Sequence, residues 1–192
     1  MKIATALLGA CLLLTACGNT PTAAPPAQNP SPVTTITSRP VADPAAVRWM
    51  DGFCSAVHGY RLRTNQEAEA VQPTPDTFDE SQKALSATLG GIAARTGEVV
   101  DKLTALPPAP VPLGDTVRQA LVTKFTKARD RATEAKNALD RAKQGSVAAQ
   151  DRAVQAMNQA QRDVDGTYDP VGAVAASPEL ILASATAPGC KI

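Results

Sequence analysis

Residues 85–106 read LSATLGGIAARTGEVVDKLTAL, and this stretch decides the fold class. Its larger apolar side chains recur at alternating spacings of four and three residues, which places them on one face of an α-helix. The resulting heptad seam has one polar member and comprises Leu85, Leu89, Ile92, Thr96, Val99, Leu103 and Leu106. Because such a seam is buried by packing against other helices, the sequence predicts an all-α protein.

The ends of this helix are marked by its flanking residues. Thr77-Phe78-Asp79-Glu80 fits a capping box, so the helix is predicted to begin near Asp76 or Thr77. The prolines of Pro107-Pro108-Ala109-Pro110 and Pro112 are predicted to end it, because proline cannot continue the backbone hydrogen bonding.

An earlier helix is predicted to begin at Asp43-Pro44, where aspartate is a good N-cap and proline suits the first helical position. Its apolar stripe consists of Val47, Met50, Cys54 and Val57, widened by Trp49, Phe53 and Tyr60. We expect this helix to reach about Val71, because Pro73 and Pro75 follow.

The helical pattern after Asp115 continues to Val164 and allows two interpretations. Gly145-Ser146 resembles a C-cap followed by an N-cap, which favours a break and two antiparallel helices. The larger apolar residues beyond it also lie about one position out of phase with the preceding seam: Val147, Val154, Met157 and Val164. The alternative is a helical hairpin in which residues 115–164 form one long helix.

A short helix is predicted after Ser177-Pro178-Glu179, which is a second cap followed by proline. With a break at Gly145, the chain has four long helices of comparable length. We therefore predict that residues 45–192 form an up-down four-helix bundle with a short C-terminal helix.

The first 17 residues have the pattern of an exported bacterial protein. Residues 1–16 combine Lys2 with a short apolar run and small residues, which predicts a cleaved signal peptide. Leu14-Thr15-Ala16-Cys17 resembles the lipobox of bacterial lipoproteins. The resemblance implies that Cys17 receives a diacylglyceryl group and anchors the protein, by lipid, to the outer face of the cytoplasmic membrane. The alternative is an ordinary signal peptide with an incidental cysteine.

Residues 17–44 are predicted to be a disordered tether behind the lipidated cysteine. Seven of the 27 residues from Gly18 to Pro44 are proline, and only Arg39 and Asp43 are charged. Such a segment cannot bury enough apolar surface to offset the entropy of ordering it.

The cysteine count predicts one disulfide bond. If Cys11 is removed with the signal peptide and Cys17 is acylated, Cys54 and Cys190 remain. Two cysteines in an oxidising compartment favour a disulfide. A two-thiol metal site and two free thiols remain open, although one histidine in the chain leaves a structural zinc site short of ligands.

Composition argues against several functional classes. The formal net charge is +1 and aromatic residues make up 3% of the chain, so no nucleic-acid partner is predicted. The sequence contains no GxGxxG, P-loop, HExxH or GxSxG motif, and we predict neither an enzyme nor a bound cofactor or metal. Eight basic residues against three acidic ones in 118–143 could contact anionic envelope polymers or form an ordinary solvated face.

Two side chains are candidates for ligand binding. His58 follows Cys54 by four residues and is either a boundary histidine or a general base. Arg61 falls within the apolar stripe of the first helix. It could line a pocket and bind a carboxylate or phosphate, or its stem could lie along the rim of the bundle.

The lipobox, the Pro/Thr/Ala tether, Trp49 shortly before Cys54 and the Pro-Gly-Cys at 188–190 together resemble small alanine-rich lipoproteins of actinobacteria. The resemblance implies a cell-envelope location and carries no catalytic residue. The expected function is a helical module that binds an envelope protein or polymer. The alternative is a carrier that holds an apolar ligand between helices, in a void lined by Leu85, Leu89, Phe53 and Phe125.

Overall fold

The structure is a computed structural model that describes residues 40–70 and 74–191. The predicted signal peptide 1–16, Cys17 and the tether up to residue 39 lie outside the described residues, as does the predicted helix end near Val71. The remaining predictions can be compared with the structure directly.

Six α-helices and one short 3-10 turn make up the described part, which contains no β-strand. The helices are α1 (Pro44–Glu69), α2 (Phe78–Thr104), α3 (Pro112–Asp140), α4 (Val147–Val164), α5 (Pro170–Ala173) and α6 (Pro178–Ser184), and the 3-10 turn is Pro188–Cys190. The predicted all-α fold, with four long helices and a short one after them, is confirmed.

The predicted helix starts follow local capping chemistry. The Asp43 carboxylate accepts a hydrogen bond from the Ala45 amide at 2.9 Å, and Thr77 and Glu80 form the capping box of α2. The third helix begins three residues earlier than expected, at Pro112 instead of Asp115. Proline suits the first helical position because it has no backbone N–H group to leave unsatisfied. Pro112 therefore starts α3 and is not part of the signal that ends α2.

Helices α2 and α3 form an antiparallel hairpin that is the centre of the fold. At one end, the Gln82 side-chain amide donates to the Leu139 carbonyl at 2.9 Å. At the other end, Arg118 donates to the Leu106 carbonyl at 2.7 Å. Of the predicted α2 seam, Leu89, Thr96, Val99 and Leu103 are buried, and Leu85, Ile92 and Leu106 are partly buried against the core.

The chain breaks between α3 and α4 at Gly145, as the capping pattern predicts. Gly145 has a φ of +71°, which L-residues with side chains adopt only with strain, and its amide donates to the Gln82 side chain at 2.9 Å. The alternative of one long helix over 115–164 is therefore wrong.

The predicted apolar phase of α4 is wrong for two of its four residues. Val147 and Val154 are 51% and 40% exposed, whereas Ala149, Ala153 and Ala160 are buried. Val164 is buried as predicted, and Met157 is partly buried against the core. The alanine face allows α4 to approach α3 closely. The break at Gly145 is thus correct, although the argument from phase holds only in part.

Two clusters of buried residues share the α2–α3 hairpin. Helix α4 covers the first, which contains Leu89, Ala132, Leu139, Ala149 and Ala153. Helix α1 covers the larger one together with α6 and the 188–190 turn, and this cluster holds Trp49, Phe53 and Phe125. The last two parts of the chain therefore pack on different helices of the bundle. Helix α4 packs on the hairpin, and the segment after it packs on α1.

Cys54 and Cys190 form the predicted disulfide bond, with a Cα–Cα distance of 4.9 Å. Cys54 is fully buried in α1 and Cys190 is partly exposed in the 3-10 turn. The bond joins residues 136 positions apart and fixes the returning segment to the first helix.

Candidate functional site

A surface cavity of about 400 Å³ lies between α1 and the region where α4 ends. We call it the α1/α4 pocket, and its lining residues are Arg61, Thr64, Asn65, Gln161 and Tyr168. Three of these residues lie on one face of α1 because they are spaced by three and four positions. The structure therefore places the sequence candidate Arg61 in a cavity.

Tyr168 is held in the pocket wall by aromatic packing. Its ring is stacked on Tyr60 at a centroid distance of 6.3 Å, and Tyr60 meets Phe125 edge to face at 5.2 Å. Tyr60 and Phe125 are buried in the larger core, so the position of Tyr168 is determined by that core.

Hydrogen bonding orients the phenol of Tyr168. The Gln161 side-chain amide donates to the Tyr168 hydroxyl oxygen at 2.7 Å. Burial raises the pKa of Tyr168, and the nearby Tyr60 and Asp165 raise it further, against the opposing effect of Gln161. The phenol therefore stays protonated at neutral pH and can donate its own hydrogen atom to a ligand.

Arg61 supplies further donors. No carboxylate of the described residues lies within ion-pair distance of the Arg61 guanidinium. Burial raises the pKa of Tyr60, and a hydrogen bond with the buried hydroxyl of Thr64 opposes that rise, so the Thr64 hydroxyl is engaged by Tyr60. A cation and a hydroxyl group that line one cavity can together bind an anionic group.

The neighbouring arginines differ from Arg61 in being paired. Arg63 contacts Glu98 at 2.7 Å, and the buried Arg95 forms an ion pair with Glu67. Both pairs join α1 to α2 and so have a structural role. Sequence reasoning missed Arg95 because it lies beside the seam residue Thr96, where a long charged side chain normally reaches solvent.

His58 lies outside the α1/α4 pocket and is engaged by the 188–190 turn. Its Nδ1 atom is 2.8 Å from the Gly189 carbonyl oxygen, and the Gly189 amide donates to the Asp51 carboxylate at 2.6 Å. Asp51 and His58, seven residues apart on α1, thus contact the same residue of the turn. These contacts hold the turn in place, and His58 is not one of the residues that line the pocket with Arg61.

The basic stretch 118–143 is largely neutralised within the fold. Lys127 and Arg131 both pair with Asp163 of α4, and Arg118, Arg129 and Lys136 pair with carboxylates of α3 itself. This is the pattern of a solvated helix face with acidic neighbours. Lys124, Arg141 and Lys143 of this stretch form no ion pair with the described residues.

Thr64 and Asn65 could have been found from the sequence, because they follow Arg61 at helical spacing. Gln161 and Tyr168 could not, since they reach the pocket only through the packing of α4 and the chain that follows it. Leu85, Leu89, Phe53 and Phe125, considered as the lining of an apolar void, line none of the five surface cavities of 300–590 Å³.

Residues 40–70 and 74–191 contain no group of three or more His, Cys, Asp or Glu side chains that could hold a metal ion. No helix in the described part of the chain has the length and apolar character needed to span a bilayer. The sequence matches no protein-family model, and searches of curated proteins and of solved structures find no similar chain.

Proposed function

We propose that the protein is a lipid-anchored, non-enzymatic binding module of the bacterial cell envelope. The lipobox-like Leu14-Thr15-Ala16-Cys17 after an apolar leader supports the anchor, which would hold the helical domain outside the cytoplasmic membrane. The proline-rich residues from Gly18 to Pro44 would separate the domain from the lipid surface. The proposed partner is an envelope protein or polymer and includes no nucleic acid.

The observation that carries the binding role is the α1/α4 pocket. It brings an arginine without an acidic partner together with hydroxyl and amide groups at the surface of a rigid helical scaffold. A nucleophile with an adjacent base and an orienting acid is the arrangement that catalysis of acyl transfer requires. In the described residues, the one histidine is bonded to a backbone carbonyl of the 188–190 turn, which favours a structural role for it.

The anchor is tested by substituting each of the two N-terminal cysteines. Cys17→Ala is expected to abolish acylation and release the protein from the membrane fraction, measured by intact mass and fractionation. Cys11→Ala is the matched control, because residue 11 belongs to the predicted leader and its loss should leave the mature protein unchanged. An unmodified thiol at position 17 in native membrane-bound protein would contradict the anchor.

The binding role is tested by crosslinking in the native envelope. The acylated full-length protein is expected to enrich a defined partner that the Cys17→Ala protein, released from the membrane, enriches less. If neither form enriches a partner over an unrelated lipoprotein, the binding role is wrong even where the anchor is correct.

A further inference from the structure

We propose that the α1/α4 pocket binds the free carboxylate of a short peptide, with Arg61 as the group that receives the anion. This inference deepens the proposed binding role, and rests on it, by naming the ligand class. The pocket volume of about 400 Å³ is within the range of sites for small molecules.

The first argument is charge. Arg63 and Arg95 each form an ion pair with a glutamate, whereas Arg61 lines a cavity with no carboxylate of the described residues in ion-pair distance. A guanidinium presents a planar pair of donors that matches the two oxygens of a carboxylate. Arg61 therefore leaves one positive charge in the pocket for a ligand to neutralise.

The second argument is the direction of the Tyr168 hydroxyl. Because the Tyr168 oxygen already accepts from Gln161, its own hydrogen atom is available to another acceptor. A carboxylate bound by Arg61 would supply that acceptor.

The third argument selects a peptide over inorganic phosphate. Asn65 and Gln161 add carboxamide oxygens to the lining, and the Gln161 amide nitrogen is already used by Tyr168. Carboxamide oxygens need hydrogen-bond donors, which the N–H groups of a peptide supply beside its carboxylate, whereas inorganic phosphate at neutral pH has only its remaining P–OH groups. The lining thus matches an anion that is attached to amide groups.

The experiment is isothermal titration of the full-length acylated protein in detergent micelles. The probe is N-acetyl-alanyl-alanine, and the control ligand is the same dipeptide with a C-terminal amide. The carboxylate form should bind with a Kd of about 1 mM or tighter, and at least about tenfold more tightly than the amide. Equal affinity of the two forms would overturn the proposal, as would tighter binding of inorganic phosphate or no detectable binding of the acid.

Variants assign the binding to the pocket. Arg61→Ala should weaken binding of the acid about tenfold or more, and Arg61→Lys should recover part of it because the charge returns without the planar donor pair. Arg48→Ala, an exposed arginine of the same helix, is the matched control and should not change the Kd. Tyr168→Phe removes one hydrogen-bond donor but keeps the aromatic ring, and it should weaken binding severalfold.

Failure of this inference can be separated from failure of the proposed function. Cys17→Ala should leave the dipeptide Kd unchanged while it releases the protein from membranes. Circular dichroism confirms that the Arg61 and Tyr168 variants remain helical, so that lost binding is not lost folding. If Arg61→Ala is folded and binds the acid as tightly as the natural protein, the pocket is not the site.

Discussion

The nearly buried carboxylate of Asp163, on α4, contacts basic side chains of α3. Its side chain is 4% exposed and contacts Lys127 Nζ at 3.0 Å and Arg131 Nε at 2.8 Å, both on α3. Burial alone would raise the pKa of Asp163, but hydrogen bonds from Arg131, Lys127 and Gln159 outweigh it and lower the pKa below its usual range. The ionised form therefore stabilises the packing of α4 on α3.

We expect Asp163→Asn to lower the free energy of unfolding by about 1 to 2 kcal/mol at pH 7, because Lys127 and Arg131 lose the negative charge and one of the two acceptor oxygens. A carboxyl whose folded pKa is depressed contributes its full stability above its unfolded pKa, near about 4, and loses it as the pH falls through the folded value. The difference between the natural protein and the variant should therefore shrink below about pH 4. Urea denaturation from pH 3 to 7 measures it.

Asp151→Asn, at an exposed position of the same helix, is the control and should change stability little. Parallel stability curves for the natural protein and Asp163→Asn over this pH range would show that Asp163 is not the group responsible.

Glycine is required at position 189 because the 188–190 turn lies very close to α1. A Cβ atom at this position would overlap the Asp51 backbone oxygen and the Ser55 hydroxyl. Gly189→Ala should displace the turn, weaken the contacts with Asp51 and His58, and lower stability by about 1 to 3 kcal/mol. Thermal denaturation followed by circular dichroism measures the effect.

Gly59→Ala is a control of the opposite sign. Gly59 lies inside α1, and a Cβ there would meet no atom within 4 Å. Alanine at this position should raise stability by about 0.5 to 1 kcal/mol, because it reduces the entropy of the unfolded chain. A Gly189→Ala protein as stable as the natural one would mean that the turn can shift at no cost.

At the scale of the helix, α4 packs on α3 through alanines. Ala153 is 2% exposed and belongs to the core cluster shared with α3. Ala153→Leu should therefore lower stability by about 1 to 3 kcal/mol through overpacking. Ala148→Leu, at an exposed position of the same helix, should stay within about 0.5 kcal/mol of the natural protein. Chemical denaturation measures both variants, and equal losses would mean that α4 does not pack through its alanine face.

Local signals predicted most helix ends, because capping acts within a few residues. The Thr77 capping box and the Gly145 break are both correct, since each depends on side chains adjacent to the backbone groups that they satisfy. The predicted burial of Val147 and Val154 in α4 was wrong because side-chain size was taken as the guide to burial. In a narrow interface the smallest residues are buried, so Val154 lies outside and Ala153 inside.

Local sequence patterns likewise identify only part of the candidate site. Arg61 could be selected from the helical wheel of its own segment, and Thr64 follows from it at helical spacing. Tyr168 is brought to the pocket by the buried Tyr60 and Phe125, which are 108 and 43 residues away along the chain. Such a meeting depends on the packing of the whole bundle, which no local pattern specifies.

At the scale of the whole molecule, the disulfide joins two parts that the helical hairpin does not hold together directly. The 188–190 turn packs mainly on α1, and α1 in turn packs on α2. Cys54 and Cys190 close a loop of 136 residues, and a cross-link of that length removes much of the entropy of the unfolded chain. The bond therefore fixes the returning segment to α1.

Cys54→Ser and Cys190→Ser should lower the free energy of unfolding by the same amount, up to about 5 kcal/mol in the chain-entropy model. The double variant should be no less stable than either single one, because the second substitution removes no further bond. Urea denaturation measures the three losses, and hydrogen exchange should show faster exchange of the amides at Gly189 and Cys190. The bonds from Asp51 and His58 should keep the turn near α1 part of the time, so its exchange should stay slower than in the urea-unfolded chain. Additive losses in the double variant would mean that the two sulfur atoms stabilise the fold separately, through packing and not through a shared bond.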